Sequence, residues 1–421
     1  MKKLIVILAS ALVCGSAFAQ DETPAKYSLY GFIRNYATFD SRESNAGTQD
    51  MYFYMPKDEN LNAEGVDLNA IPSFRMFSLT TRLGLKVSDY QFGNVSVNGA
   101  VEADFYCMNG SVATFRLRQA YVGIGMNLRD GDKLLVNVGQ TWHPMAVDMP
   151  HILNLETGAP FNPFNRSPQI MAHYSMGSKI TATGGIIFPM QFLPVGPNGK
   201  SVEYNKYGLI PEIYLGVAYK DGAFLGKAGV DLFSSKPVRY DTDALGTHLA
   251  SGRLFAVSPF LYGQYTKDLL QIKAKTIFAQ SGEHMNLLSG YGISEYDAAS
   301  HSISYTPMQD WASFVSVQYG KKIQFMAMLG YMKRFGTTTD LEMTAGVPTA
   351  LWLNTAADTK IQQAVRFTPT IAWNIGKLTL SLEYNITAAE FGRGAITSRG
   401  LYDDGKWIAN HRIINMVKFN F

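Results

Sequence analysis

The chain has 421 residues, a formal charge of +3, 17% charged and 13% aromatic side chains, and a mean hydropathy of −0.04. The near balance of charge argues against nucleic-acid binding, and the charged fraction lies below the roughly 25% usual for soluble domains. Outside the N-terminal leader no apolar run reaches the roughly 18 residues of a spanning helix, which excludes a helical membrane protein.

Residues 1–19 read as a cleavable leader. Lys2 and Lys3 are its basic start, Leu4 to Val13 its apolar core, and Ala17-Phe18-Ala19 its small-x-small cleavage pattern. The mature chain is then expected to begin at Gln20 and to form one domain, 20–421. Cys14 raises a lipoprotein alternative, but Ala11-Leu12-Val13 before it lacks the small residues that processing needs. Cys107 is then the one cysteine left, a small apolar residue with no intrachain partner.

Low polarity without a spanning run is what alternating strands produce, because lipid-facing and water-facing residues average out. The first strand reads Tyr27 to Phe39. The second, Phe77 to Val87, is predicted to turn Phe77, Leu79, Thr81, Leu83, Leu85 and Val87 outward and Ser78, Thr80, Arg82, Gly84 and Lys86 inward. Ser88 to Asn94 joins it to Val95–Cys107, whose Glu102 and Asp104 face inward. Arg116–Gly125 pairs with Leu134–Trp142, and Ile170–Met176 with Ile180–Phe188 about Gly177-Ser178. Ile213–Tyr219 and Phe224–Leu232 turn at Asp221-Gly222, a strong hairpin dipeptide. Phe255–Tyr265 with Leu270–Phe278, Trp311–Tyr319 with Ile323–Tyr331, and Val365–Trp373 with Leu378–Ile386 complete the hairpins. Ile413–Phe421 closes the chain, with Ile413, Val417, Phe419 and Phe421 on one face and Ile414, Met416 and Lys418 on the other.

That makes about sixteen strands in an all-β, antiparallel transmembrane barrel with an aromatic C-terminus suited to membrane assembly at Phe419 and Phe421. Tight turns alternate with long connections near 41–73, 143–168, 190–206, 234–252, 282–306, 336–362 and 391–409. No internal repeat at a propeller blade period supports a soluble alternative. A sixteen-stranded lumen is too wide for side chains to fill, so water occupies it. Only Gln20 to Lys26 precede the first strand, too few residues for a plug domain.

Arg34, Arg82, Lys86, Arg116 and Arg118 are placed inside by alternation, since a lipid-facing arginine or lysine costs about 2–4 kcal/mol near midplane. With Glu102 and Asp104 they form a pore wall of mixed sign and basic surplus, mildly favourable to anions. The connection after Trp142 is apolar and proline-rich: Met145, Val147, Met149, Ile152, Leu153, Phe161 and Phe164 would be wasted on an exposed loop. It is predicted to fold inward as a constriction loop carrying His143, Asp148, His151, Glu156 and Arg166, with Asp148, Glu156 and Arg166 near the gap. His143 and His151 match no metal-ligand spacing, so no metal or other cofactor is expected. No G-x-S-x-G occurs, and His173 with Ser175 is only an alternating pair, so an enzyme is not expected. Asp40, Asp58 and Glu59 cluster near the rim without forming a defined calcium loop.

Tyr30-Gly31-Phe32-Ile33-Arg34, Phe115 to Gly123 and Val138-Gly139-Gln140-Thr141-Trp142 resemble, in order and spacing, segments of the DcaP-like porins of Gram-negative bacteria. The resemblance runs to about residue 175; beyond it only strand count, length and Phe421 match. It implies a sixteen-stranded homotrimeric porin of the outer membrane, in contact with lipid and lipopolysaccharide, with an inward third loop and a basic channel. The expected function is passive diffusion of small hydrophilic solutes. The alternatives are a transporter of hydrophobic substrates and a structural or adhesive barrel using the loops 41–73 and 336–362 as contact surfaces.

Overall fold

The computed structural model describes residues 22–47, 52–108, 111–154, 157–356 and 358–421. The leader expected over 1–19 and the loop residue Glu156 lie outside them. Sixteen antiparallel strands form one closed barrel, as expected. They are β1 (Lys26–Asp40), β2 in two segments (Ser73–Phe77 and Arg82–Phe92), β3 (Val95–Met108), β4 (Ser111–Asn127), β5 (Lys133–Trp142), β6 (Arg166–Met176), β7 (Ile180–Ile187) and β8 (Glu212–Asp221). There follow β9 (Phe224–Ser235), β10 (Leu254–Lys267), β11 (Leu270–Gln280), β12 (Ser302–Gly320), β13 (Ile323–Thr337), β14 (Ile361–Ile375), β15 (Leu378–Ile396) and β16 (Tyr402–Asn420).

Closure follows from the last strand finding the first. Phe32 to Asp40 pair with Asn420 to Arg412, while Lys26 to Phe32 pair with Ser88 to Arg82 of β2. The Phe421 backbone N–H donates to the Gly31 carbonyl at 3.1 Å. A Cβ at Gly31 would stand 2.2 Å from the Arg82 carbonyl oxygen and 2.8 Å from the Phe421 ring, so the seam requires glycine there. Among the described residues the barrel wall itself is thereby left without an edge strand.

Alternation sets the two faces. On β10, Phe255 and Leu261 are exposed while Ala256, Phe260 and Tyr262 are buried; on β16, Ile413, Val417 and Phe419 are exposed while Ile414 and Met416 are buried. The exposed set is the greasy outer band. Tyr219, Phe224, Tyr319 and Trp373 lie on that outer face beside the tight turns, the placement of an interfacial aromatic girdle.

Two expectations fail for one reason. The second strand is broken at Ser78–Thr81, where Thr80 has φ +65° and its N–H donates to the Phe105 carbonyl at 2.7 Å. The break shifts the parity. Phe74 and Met76 point outward, Phe77 packs tilted against Tyr36 with centroids 5.7 Å apart, and Leu79 is buried with Tyr36, Leu153, Ile414 and Met416. Phe77 and Leu79, expected outward, are therefore inside; a face is inherited along a strand only while the ladder is unbroken. The long final connection near 391–409 is also absent. β15 runs to Ile396 and β16 starts at Tyr402, and β12 begins at Ser302 rather than Trp311. These extensions lie past the lipid band, where alternation no longer marks a strand.

The lumen is partly packed. Three segments fold into it: the hairpin strand Tyr52–Pro56, the loop 143–165, and residues 283–289. Tyr54, Met55, Met145, Phe161, Met285 and Leu287 make one buried apolar cluster there. The connection near 41–73, a contact surface only under the alternative of a structural barrel, thus sends its Tyr-Phe-Tyr-Met run inside, because burying four large apolar side chains outweighs exposing them.

Candidate functional site: the constriction

β5 and β6 stay paired as far as Trp142 opposite Arg166. Pro144 has no N–H to continue the ladder, and the chain leaves the wall and crosses the lumen. The far wall holds it by its backbone. Lys275 of β11 donates to the carbonyls of Met145 (3.0 Å) and Val147 (2.5 Å) and to Asn162 Oδ1 (2.7 Å). Ser316 Oγ of β12 accepts the His151 N–H at 2.8 Å, and Glu383 of β15 accepts that of Leu153 at 2.6 Å. Arg366 of β14 donates to the Ala159 carbonyl at 2.9 Å. Gly158 has φ +69°, and a Cβ there would meet Pro150 Cγ at 2.4 Å, so the tight return of this loop depends on glycine.

The loop separates two cavities. One, about 640 Å³, is lined by Arg34, Arg82, Arg116 and Arg118 with Tyr106 and Tyr52. The other, about 590 Å³ on the tight-turn side, is lined by His151, Lys273, Gln324, Asn374 and Lys418. Trp142 and Met149 line both.

The arginine wall is built on a bulge. In β4, Gln119 pairs with Glu102 and Leu117 with Ala103, leaving Arg118 as the extra residue. Arg116, Arg118 and Gln119 therefore all reach the two carboxylates of β3. Arg118 Nε lies 2.7 Å from Glu102 and its Nη1 2.7 Å from Asp104; Arg116 Nε lies 2.7 Å from Asp104, and Arg82 3.6 Å from Glu102. Guanidinium groups also lie over rings: Arg116 over Tyr106 at 3.5 Å, Arg82 and Arg34 over Phe32 at 4.8 Å. Lys86 lies on the same inward face as Arg82 and Gly84, exposed, nearer the turn.

The loop residues divide. Asp148 does not stand free in the gap but pairs with Lys227 of β9 at 2.7 Å. Arg166 is buried behind Trp142, 4.7 Å from its ring, with Nε donating to Gln191 at 3.0 Å. It was expected near the gap; the aromatic face took it instead. His143 is wholly buried at the loop's root, away from His151, which lines the turn-side cavity. At the rim, Asp40 pairs with Arg412 at 2.8 Å, Asp58 with Arg393 at 2.6 Å and Glu59 with Lys406 at 2.5 Å.

No protein-family model matches this chain, and no curated protein matches it in sequence. Solved structures do. The outer membrane channel DcaP of Acinetobacter baumannii superposes with a TM-score of 0.66 at 18% identity, covering 96% of this chain and 100% of that one. The anion-selective porin from Comamonas acidovorans gives 0.57 at 10% identity over 94% and 100%. The trimer form of OmpT from Vibrio cholerae gives 0.53 at 13% identity over 95% and 100%. This chain has the porin fold. The likeness to DcaP runs over nearly the whole chain, well beyond the segments up to residue 175 that resemble its group in sequence.

Several residues of this porin fold escaped the sequence reading. Lys273 and Lys275 share one strand face, a sign that they point inward, yet nothing local says that they hold the loop. Arg366 and Arg412 are fully buried with their guanidinium groups 5.1 and 5.0 Å from the Phe53 ring. Gln119 reads as outward until the bulge is known.

Burial, and then the neighbouring Lys273 charge, hold the His151 imidazole down to a pKa of about 4. The folded loop keeps it neutral, so the penalty of charging it starts as pH falls below about 6.5 and is complete near 4. Acidification across that window is expected to weaken the hold of the loop, and positive charge enters the turn-side cavity as pH falls through about 4. Single-channel current should therefore change around pH 4, and His151→Gln should remove most of the change. A full-sized step in the glutamine variant would assign it to another group.

Proposed function

We propose that this chain is a trimeric outer-membrane porin through which small hydrophilic solutes diffuse passively, with a weak preference for anions. The observation that carries the reading is the pair of cavities meeting at Trp142 and Met149, one walled by four arginines against two carboxylates. A solute moving between them passes the loop edge, where size is screened. The arginine surplus lowers the energy of an anion beside the wall and raises that of a cation. Guanidinium groups already engaged with Glu102 and Asp104 keep the preference modest. The exposed apolar band and turn-side aromatics suit the lipid and lipopolysaccharide of an outer membrane.

Reconstitution in a planar bilayer tests this. Ion-conducting steps in groups of three are expected, with a reversal potential of anion sign in a potassium chloride gradient. Clear cation preference would remove the selectivity claim. A transporter of hydrophobic substrates would give no steps at all, and a structural barrel only small, irregular events.

A further inference from the structure

Four ionisable side chains that play no part in the pore wall meet in one dry spot at the root of the constriction loop. His143 opens the loop, Glu212 begins β8, Asp231 sits in β9 and His284 lies in the short turn Glu283–Met285 after β11. Each is buried. His143 Nε2 is 2.5 Å from Glu212 Oε1 and 3.6 Å from Asp231 Oδ1. His284 Nε2 is 3.5 Å from Glu212 Oε2 and 3.7 Å from Asp231 Oδ2.

The other ring nitrogens assign the protons. His284 Nδ1 lies 3.0 Å from the Ser281 carbonyl, to which it can only donate, so in the neutral ring Nε2 bears a lone pair. The Met145 N–H donates to His143 Nδ1 at 3.1 Å, so the His143 proton sits on Nε2 and goes to Glu212 Oε1. Among the described residues this leaves Glu212 Oε2, both Asp231 oxygens and His284 Nε2 without a hydrogen-bond partner, all buried and gathered at one point. Two carboxylates and a lone pair repel, and unpaired buried charge is expensive. A proton on His284 Nε2 would offset the carboxylate charge, but at 3.5 and 3.7 Å it would still leave the carboxylate oxygens without a hydrogen bond. Donors at that separation can instead both lie about 2.0–2.2 Å from one metal ion.

We propose that His284 Nε2, Glu212 Oε2 and Asp231 bind a divalent transition-metal ion of the zinc type, with His143 holding Glu212 from behind through its Nε2–H. An imidazole among carboxylates selects against calcium and magnesium, which take oxygen donors. A hydrogen bond from an outer residue to a ligating carboxylate is the usual way such a ligand is oriented. The ion would tie β8, β9 and the segment after β11 to the loop root, and so set where the loop leaves the wall. The spacing of His143 and His151 gave no sign of this, because the groups His143 meets, Glu212 and Asp231, lie on other strands.

The test uses the whole protein in detergent, stripped with EDTA and dialysed against buffered zinc or cobalt, with bound metal counted by mass spectrometry. About one ion per chain is expected, with the visible bands of low-coordinate cobalt and a higher unfolding temperature in zinc than in EDTA. Asp231→Asn and His284→Gln should each lose the ion. The exposed group Asp243, His248 and His301 also brings three donors together, so His248→Ala with His301→Ala is the control and should retain it. A wild-type barrel that binds no ion after loading overturns the proposal whether or not the variants fold. So does an ion kept by Asp231→Asn and His284→Gln, or one lost in the control.

Discussion

Replacing Arg366 with alanine should widen the pore several-fold in single-channel current while the barrel stays folded. Arg366 is fully buried on β14 and donates to Ala159 O of the constriction loop at 2.9 Å, to Tyr54 O of the first loop at 2.6 Å and to Thr387 Oγ1 of the wall at 2.8 Å. Its guanidinium lies 5.1 Å from the rings of both Phe53 and Phe161. One side chain therefore fastens two inward loops to the wall. Hydrogen bonds to a charged donor contribute roughly 1.5–3 kcal/mol each, so losing the two loop bonds removes about 3–6 kcal/mol of anchoring and leaves two buried carbonyls without a donor. The sixteen-strand ladder does not depend on those bonds, so the loops should loosen before the barrel does. Arg366→Lys should recover part of the effect, since lysine restores charge but not the planar fork that reaches three acceptors. A folded Arg366→Ala barrel with unchanged current would show that the loops hold without this arginine.

The second large effect is expected at Arg118. It is the residue on which both carboxylates of β3 converge, with Glu102 and Asp104 each 2.7 Å away and all three at most 5% exposed. Removing one partner from a buried ionic cluster typically costs about 3–5 kcal/mol, here toward the lower end because Asp104 keeps Arg116 at 2.7 Å while Glu102 keeps only the more distant Arg82 at 3.6 Å. Arg118→Ala should lower stability by about that amount and move the reversal potential toward cations, since the surplus of arginines over carboxylates on the wall falls from two to one. Arg118→Ala combined with Glu102→Gln should regain part of the stability, as the less compensated carboxylate goes too. Denaturant unfolding of the two singles and the double gives the coupling directly. A loss below about 1 kcal/mol, the level of a solvated surface pair, would mean that the wall is wet and its charges screened.

The barrel was legible residue by residue wherever one strand face meets lipid. The alternation in β16 predicted which side chains point out, and the turn signals at Gly177 and Asp221-Gly222 placed hairpins to within a residue or so. Legibility ended where that contact ended. The 19-residue strands β15 and β16 run past the lipid band and had looked like loop. Thr80 breaks a ladder that the pattern alone reads as continuous. The apolar makeup of the 143–165 loop signalled its inward course, because a greasy loop needs cover. The same reasoning applied to Tyr52–Pro56 would have brought the first loop inside as well.

Period-two alternation and an apolar third loop are local properties, written within a few residues by chain geometry and the solvent each face meets. From them came the strand number, the outward faces and the existence of a constriction. Which groups meet inside is a different kind of fact. Arg366 reaches Tyr54 across 312 residues of chain, and His143 finds Glu212 and Asp231 on other strands. Such pairs are set by how the wall closes and how three loops share one lumen, and a linear neighbourhood carries no trace of either.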